Sequence, residues 1–536
     1  MNVRLIFFIL LYLSLNTYVS AQRYEVKDFL IEKSISRGAS YIGLDNQGFI
    51  YASSYRRFLF HRLTFPWIKV FDSNSGTLVA EKRAETKALK QQGYRLIDVA
   101  MIDDKPVLIV RKRGDIGGIN YYAFDVDKNL NLLGGAYKIG ERGSCRGFAS
   151  GSAKNFNNGL TYFKDKNGFS TFLSDLTCSG DDEVTMLLMR LNENNNEIYS
   201  EKFSLDIPNI RQLGNVVTLA DKTYFTLSGT IRKKVDHSLF KQNFITNHLF
   251  VVDNMGYVEE INLSLGKDDV ASEMSLVKSD GKILVSGQII RDRTTSLQGV
   301  FTAAINEGAY NLSNIATHYF DHNFITKFWS ERDIKRAERR GRTPELETNF
   351  VLIDKFDTDD GGAAFISQKR IIERVSRQTT GTGSIVTTDI TYYYYYTDII
   401  VTKINASGNL AWVELIPMHQ MTVDYDPGKG FVASQKNESI FLMHLSSNEI
   451  KDMINEGEYK EERRKWRDRR TDKIVMTEID KNGNVSTNEI IDTRETKVSF
   501  NPSSVAIDHE NKRFTILSRV RGLFTSKKTR VKSVRF

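Results

Sequence analysis

Residues able to do chemistry are few in this chain, and they are scattered. Eight histidines occur. His318 and His322 stand i,i+4, the separation that brings two imidazoles to one side of a helix, yet no HExxH-type carboxylate surrounds them. The run DVDKNLN (125–131) imitates the start of a calcium loop. It lacks the glycine of loop position six and the acid of position twelve, so a tight turn is expected there instead. Gly-rich phosphate loops and G-x-S-x-G elbows are absent from the sequence. The expectation is therefore no metal, no cofactor and no local catalytic motif. Two carboxylates assembled from distant segments, as in a glycosidase, would leave no such motif.

The groups that do recur are cations. Arg56 and Arg57, Arg111 with Arg113, Arg232 with Lys233, Arg291 with Arg293, and Arg519 with Arg521 each close an apolar stretch. The formal net charge of the 536-residue chain is +8. Such a charge favours anionic partners, and its bias toward segment ends says more than the total. Lys and Arg at strand ends also discourage edge pairing without any ligand. Five consecutive tyrosines, 392–396, are the other unusual feature. Strand alternation sends Tyr392, Tyr394 and Tyr396 to one side and Tyr393 and Tyr395 to the other. One row packs on a partner strand, and the other is free to stack on a sugar or a protein.

These residues sit in a repeat. Segments such as "DIIVTKINASGNLAWVELI", "KIVMTEIDKNGNVSTNEII" and "HLFVVDNMGYVEEINL" join two β-prone runs through a turn rich in Asn, Asp and Gly, which tolerate positive φ. A second hairpin precedes each copy, for example "SYIGLDNQGFIYASS", "SLVKSDGKILVSGQII" and "LIDKFDTDDGGAAFIS". The unit is four antiparallel strands, repeated about eight times. That pattern predicts an all-β fold, a β-propeller of four-stranded blades, with eight blades favoured and seven as the alternative. The last unit ends after a third strand, "TRVKSVRF", and "RYEVKDFLIEK" near the start is an unassigned strand. Pairing the two would protect both edges and close the ring.

"DDGGAAFISQ" followed by "DIIVTKINASGNLAWVELI" resembles the DGG…D-x-x-V-x-K-x-(N/D)-x-x-G-x-x-x-W repeat of secreted propeller-like proteins of Bacteroidota. Asp360, Gly361, Gly362, Asp398, Val401, Lys403, Gly408 and Trp412 carry the likeness, which covers about a tenth of the chain. The resemblance implies a fold and a source, and it implies no activity.

In a propeller the turns within a unit's two hairpins lie on one side. The connections between second and third strands lie on the other, with those that lead to the next unit. The hairpin turns here are short. The long segments, at 56–66, 232–246, 322–347, 372–398 and 446–473, all fall on the second side, as do the cationic strand ends. Loops beyond what closure needs are where function concentrates. The stretches at 328–347 and 448–473 are dense in Glu, Lys and Arg and are expected to be helical insertions with a solvated face. The expected function is a non-catalytic binding or scaffold role at the cell envelope, for a protein or an anionic glycan. A polysaccharide hydrolase or lyase is the alternative. Nucleic acid is not expected, since no matching motif is present. An outer-membrane barrel, suggested by the terminal Phe536, is disfavoured by strands too short for sustained lipid-facing alternation.

The chain opens with "MNVRLIFFILLYLSLNTYVSAQRY". Arg4, the apolar run Leu5–Leu15 and Val19-Ser20-Ala21 have the order of a signal peptide over 1–21, leaving a single domain over 22–536. The run is too short for the ~20 residues that span a bilayer, and no later stretch reaches that length. Cys145 and Cys178 are the only cysteines. In an exported protein such a pair suggests a disulfide, worth roughly 3 kcal/mol in the chain-entropy account; two buried thiols are the alternative. N-terminal sequencing of native protein is expected to begin at Gln22, and retention of Met1 refutes export by this signal. Thiol titration of denatured, non-reduced protein is expected to find no free thiol, whereas two titratable groups remove the disulfide.

Overall fold

The computed structural model describes residues 25–31, 40–45, 47–54, 67–75, 77–83, 87–102, 105–114, 118–142, 160–165, 168–176, 184–205, 210–234, 241–266, 269–291, 296–327, 331–339, 346–347, 350–380, 386–424, 426, 428–447, 451, 473–496, 500–502, 505–508, 512–519 and 529–535. Strand β1 (Glu25–Ile31) is followed by β2 (Ser40–Leu44), β3 (Phe49–Ser54), β4 (Trp67–Asp72) and β5 (Leu78–Arg83). Helix α1 (Lys87–Gln91) leads into β6 (Arg95–Ile102), β7 (Lys105–Arg113), β8 (Ile119–Val126) and β9 (Leu132–Arg142). Next come β10 (Leu160–Lys164), β11 (Ser170–Asp175), β12 (Val184–Leu191) and β13 (Glu197–Leu205). They are followed by β14 (Ile210–Leu219), β15 (Lys222–Lys234), β16 (Lys241–Val252) and β17 (Val258–Ile261). The fifth group is β18 (Asp269–Ser279), β19 (Lys282–Arg291), β20 (Ser296–Asn306) and β21 (Ser313–Tyr319). It is trailed by α2 (His322–Thr326), α3 (Glu331–Arg339) and the short β22 (Leu346–Glu347). Then β23 (Phe350–Asp357), β24 (Ala363–Thr380), β25 (Val386–Ile404) and β26 (Leu410–Val423) precede β27 (Phe431–Lys436), β28 (Ser439–Ser446), β29 (Lys473–Ile479) and β30 (Val485–Asp492). Helix α4 (Thr493–Thr496), β31 (Val505–Asp508), β32 (Arg513–Arg519) and β33 (Thr529–Arg535) complete the chain.

Each group forms one antiparallel sheet in chain order, and β22 adds a short strand beside β20. The last sheet takes β1 as its fourth strand, in the order β31-β32-β33-β1, with Glu25 opposite Arg535 and Ile31 opposite Thr529. Among the described residues the fold is all-β, built of four-stranded antiparallel sheets such as propellers use. The first strand of each sheet lies against a neighbouring sheet: β2 meets β6, β14 meets both β10 and β18, β18 meets β23, β27 meets β31, and β31 meets β2.

The core lies between sheets rather than within one. Val217, Tyr224 and Val251 of one sheet pack with Leu276, Val285 and Phe301 of the next. Ile366, Tyr396 and Val401 pack likewise with Phe431, Ala433 and Leu442. A middle strand is thus buried on both faces, which is why β19 reads "KILVSGQIIR" instead of alternating with polar residues. Fourth strands such as β13 are largely exposed.

One turn recurs. Asp45, Asp127, Asn192, Asp253, Asn405 and Asp480 each accept on Oδ1 the backbone N–H groups two and four residues on. The fourth turn residue then takes positive φ, as Gly408 (φ 88°) and Gly483 (φ 88°) do. The calcium-like run at 125–131 is one of these turns.

The residues of the DGG repeat also have structural work. Lys403 is 2% exposed, and its Nζ donates to Asp360 Oδ1 at 2.7 Å and to the Thr358 hydroxyl. Asp360 Oδ1 accepts the Gly362 N–H at 3.1 Å, and Trp412 Nε1 donates to the Lys481 carbonyl of the next sheet at 3.1 Å. Burial pushes the Asp360 carboxyl up. The hydrogen bonds from Lys403 and Thr358, with the Lys403 charge, outweigh it and hold the group below its usual range.

Asp360→Asn leaves the Lys403 ammonium buried without its counter-charge, and a loss of about 3 kcal/mol is expected. Lys403→Met costs less, because Asp360 can reach solvent. A folded pKa below the unfolded value of about 4 stabilises fully above that value and is lost as pH falls through the folded one. Urea melts are therefore expected to separate wild type from Asp360→Asn at neutral pH and to converge in acid. An acid-independent gap refutes the assignment.

Candidate functional site

Hairpin turns within the sheets span two to six residues, and β24 and β25 run far beyond their sheet in the opposite direction. On that opposite side, first and third strands start while second and fourth strands end. In the β6–β9 sheet this brings cations together. Arg95 is opposite Arg111, Arg111 is opposite Tyr121, Arg113 is opposite Ile119, and Ile119 is opposite Arg142. Lys112 Nζ sits 5.2 Å from the centre of the Tyr94 ring. Arg111 is half-buried, and Lys112 and Arg113 are exposed. Burial raises the Tyr121 phenol, and the charges of Arg142 and Arg111 with a hydrogen bond involving Arg142 pull it the other way. Among the described residues Arg95, Arg111, Lys112 and Arg113 have no carboxylate partner. An anion approaching this end meets cations whose charge is not already neutralised.

Other strand-end cations belong to other sheets. Arg291 is exposed at the end of β19, opposite Asp269. Arg232 and Lys233 lie in the extension of β15, opposite Asn243 and Gln242, and Arg519 ends β32 opposite Thr529. Arg56, Arg57, Arg293 and Arg521 lie outside the described residues, as do Cys145, Cys178 and nearly all of 448–472.

The tyrosines divide further than alternation alone predicts. Tyr396 is 0% exposed and belongs to the core between two sheets, with its hydroxyl donating to Asp426. It is therefore removed from the rings a ligand could stack on. Tyr394 is partly buried against that core. Tyr392, 38% exposed, stacks on Tyr394 with centroids 6.4 Å apart and planes at 28°. Across the hairpin, Ile372 is opposite Tyr394 and the exposed Arg374 is opposite Tyr392. In the second row Tyr395 donates to Glu373 Oε2 at 3.0 Å. The outer end of the first row is thus an aromatic step beside a cation.

Sequence reasoning missed a polar group on the first strands. Lys355 Nζ on β23 donates to Ser275 Oγ on β18 at 2.6 Å, and Ser275 Oγ donates to Asn215 Oδ1 on β14 at 3.2 Å. Burial takes the Lys355 amine down to about 7, against the opposing pull of Asp354, and burial alone raises Glu273 to about 7. The available signal was a charged residue inside an apolar strand, which hairpin patterning treats as noise. His318 and His322 do not form a helical pair, since one belongs to β21 and the other begins α2. Among the described residues no group of three His, Cys, Asp or Glu could hold a metal. No described helix is long and apolar enough to cross a membrane.

No protein-family description and no curated protein matches the chain. Solved structures of similar architecture exist at very low identity. The propeller domain of the Trilobed protease from Pyrococcus furiosus shares 9% identity, with 72% of this chain and 98% of that one covered and a TM-score of 0.30. The α-L-arabinanase of Penicillium chrysogenum shares 9%, over 75% and 92%, with a TM-score of 0.30. Drosophila semaphorin 2a shares 10%, over 78% and 73%, with a TM-score of 0.31. These likenesses say nothing of activity, and the sheet topology carries the fold.

Proposed function

We propose that this protein is an exported, eight-bladed propeller of the cell envelope that binds an anionic glycan on the side opposite its short turns. The observation that carries the reading is the convergence of Arg95, Arg111, Arg113 and Arg142 at one end of one sheet. The Tyr392–Tyr394 step beside Arg374 supports a sugar over a compact anion, because a pyranose offers an apolar face for stacking and a carboxylate for the guanidinium. Closure of the ring by β1 is supported by its pairing with β33. A contact that repeats between sheets supports it too. Lys222, at the start of a second strand, donates to the Gly308 carbonyl in the outer turn of the following sheet at 2.6 Å. Arg513 holds the equivalent place in the last sheet and reaches Asn74 at 3.1 Å and Ser73 at 3.2 Å in the outer turn of the β2–β5 sheet.

Titration with polygalacturonate, and with neutral dextran as control, tests the binding. Arg95→Glu/Arg111→Glu/Arg113→Glu is expected to weaken polygalacturonate binding at least about tenfold with an unchanged melting curve. Binding to wild type is expected to fall with salt, since exposed charges are screened over about 8 Å at physiological ionic strength. Tyr392→Ala/Tyr394→Ala is expected to weaken it without altering the salt slope. If the triple reversal changes neither affinity nor slope, the cation cluster is an ordinary solvated strand end.

A further inference from the structure

The polar group on the first strands serves no step of glycan binding on the outer connections, and its chemistry differs in kind. We propose that Lys355 is a nucleophilic amine that forms imines with small aldehydes. Its placement supplies a hydroxyl partner for the amine. Lys355 is half-buried on β23, whose neighbour β18 contributes Ser275 and whose partner across the hairpin is the uncharged Phe365. The amine makes no ion pair among the described residues. Asp354, the adjacent acid, lies 3.4 Å from Lys429 instead. Glu273 lies two residues from Ser275 on β18, and β14 contributes the uncharged Asn215.

A lysine needs its lone pair to attack a carbonyl. Burial takes this amine down to about 7, so roughly half of it is neutral at neutral pH, against about one part in several thousand for an exposed lysine near 10.4. Nitrogen adds to the carbonyl carbon as the C=O π pair moves to oxygen, and the proton released from nitrogen passes to that oxygen. The Ser275 hydroxyl, 2.6 Å from Nζ, is in place to relay it. The carbinolamine then loses its hydroxyl with a second proton as water, and C=N forms. Nothing is oxidised or reduced. Asn215 fixes the relay, because its Oδ1 accepts from Ser275 while its Nδ2 donates to the Leu276 carbonyl at 2.8 Å.

Incubation of the full-length folded protein with glyceraldehyde and cyanoborohydride at pH 7, followed by peptide mass mapping, reads the imine as a stable secondary amine. Lys355 is expected to be modified at least tenfold faster than exposed lysines such as Lys112 and Lys335, with a half-maximal rate near pH 7. The same reaction in urea is expected to lose this preference. Modification of Lys355 no faster than those surface lysines, or equal labelling in folded and unfolded protein, overturns the proposal. The readout uses wild-type protein and no glycan, so its failure is separable from failure of polyuronate binding.

Discussion

A four-stranded sheet whose middle strands are apolar on both faces cannot stand alone. Everything else in this molecule follows from that condition. Strands such as β19, buried along nearly their whole length, need a sheet on either side. The sheets therefore stack face to face, and the hydrophobic clusters straddle neighbouring sheets. Burial of apolar area is non-directional, so it fixes stacking without fixing orientation. Orientation comes from polar contacts at the turns. Trp412 reaches the Lys481 carbonyl, Lys222 the Gly308 carbonyl and Arg513 the Ser73–Asn74 turn, and each ties one sheet to the next at a defined point.

The turn residues explain why the hairpins were readable. An Asp or Asn that satisfies two backbone N–H groups, followed by a residue at positive φ, leaves a D/N-x-x-G trace wherever glycine fills the fourth place. Where Leu130 (φ 61°) or Asn195 (φ 62°) fills it, the trace fades and the turn persists, because the Asx hydrogen bonds remain. The tyrosine-rich part of β25 was legible as a strand from its aromatic run, and β1 from the missing fourth strand of the last unit. The β10–β11 turn keeps the trace from Asp165 to Gly168, whereas β27–β28 turns on Asn437 (φ 49°) and Glu438 (φ 65°) without a glycine.

Candidate sites were less legible, for a physical reason. Period-two alternation tells which side of a strand a residue takes, but not how far along the strand the neighbouring sheet extends. Tyr392, Tyr394 and Tyr396 share one side, yet the adjacent sheet covers the last, partly covers the second and leaves the first exposed. The cluster at Arg95, Arg111 and Arg142 joins residues from three strands of one sheet, and only strand-end geometry brings them together. Lys355, Ser275 and Asn215 come from three different sheets, so no spacing within the chain encodes their approach.

The two sides of the fold differ because their backbones are under different demands. On the hairpin side, the recurring turns use side-chain acceptors to satisfy N–H groups and place a turn residue at positive φ. Insertion there would break hydrogen bonds that also set the sheet-to-sheet contacts. On the opposite side the chain must only travel from one strand to the next, and closing a longer loop costs little extra entropy. Length and charge can therefore accumulate on that side without disturbing the stack. The wall of first strands meets a third demand. Each first strand has one edge with no neighbour in its own sheet, and its unpaired backbone groups need partners. Asn215 meets part of that need by bonding both the N–H and the carbonyl of Leu276. Polar side chains are drawn to this wall by the backbone itself, and a lysine held among them inherits both the burial and the neutral partners that make an amine reactive.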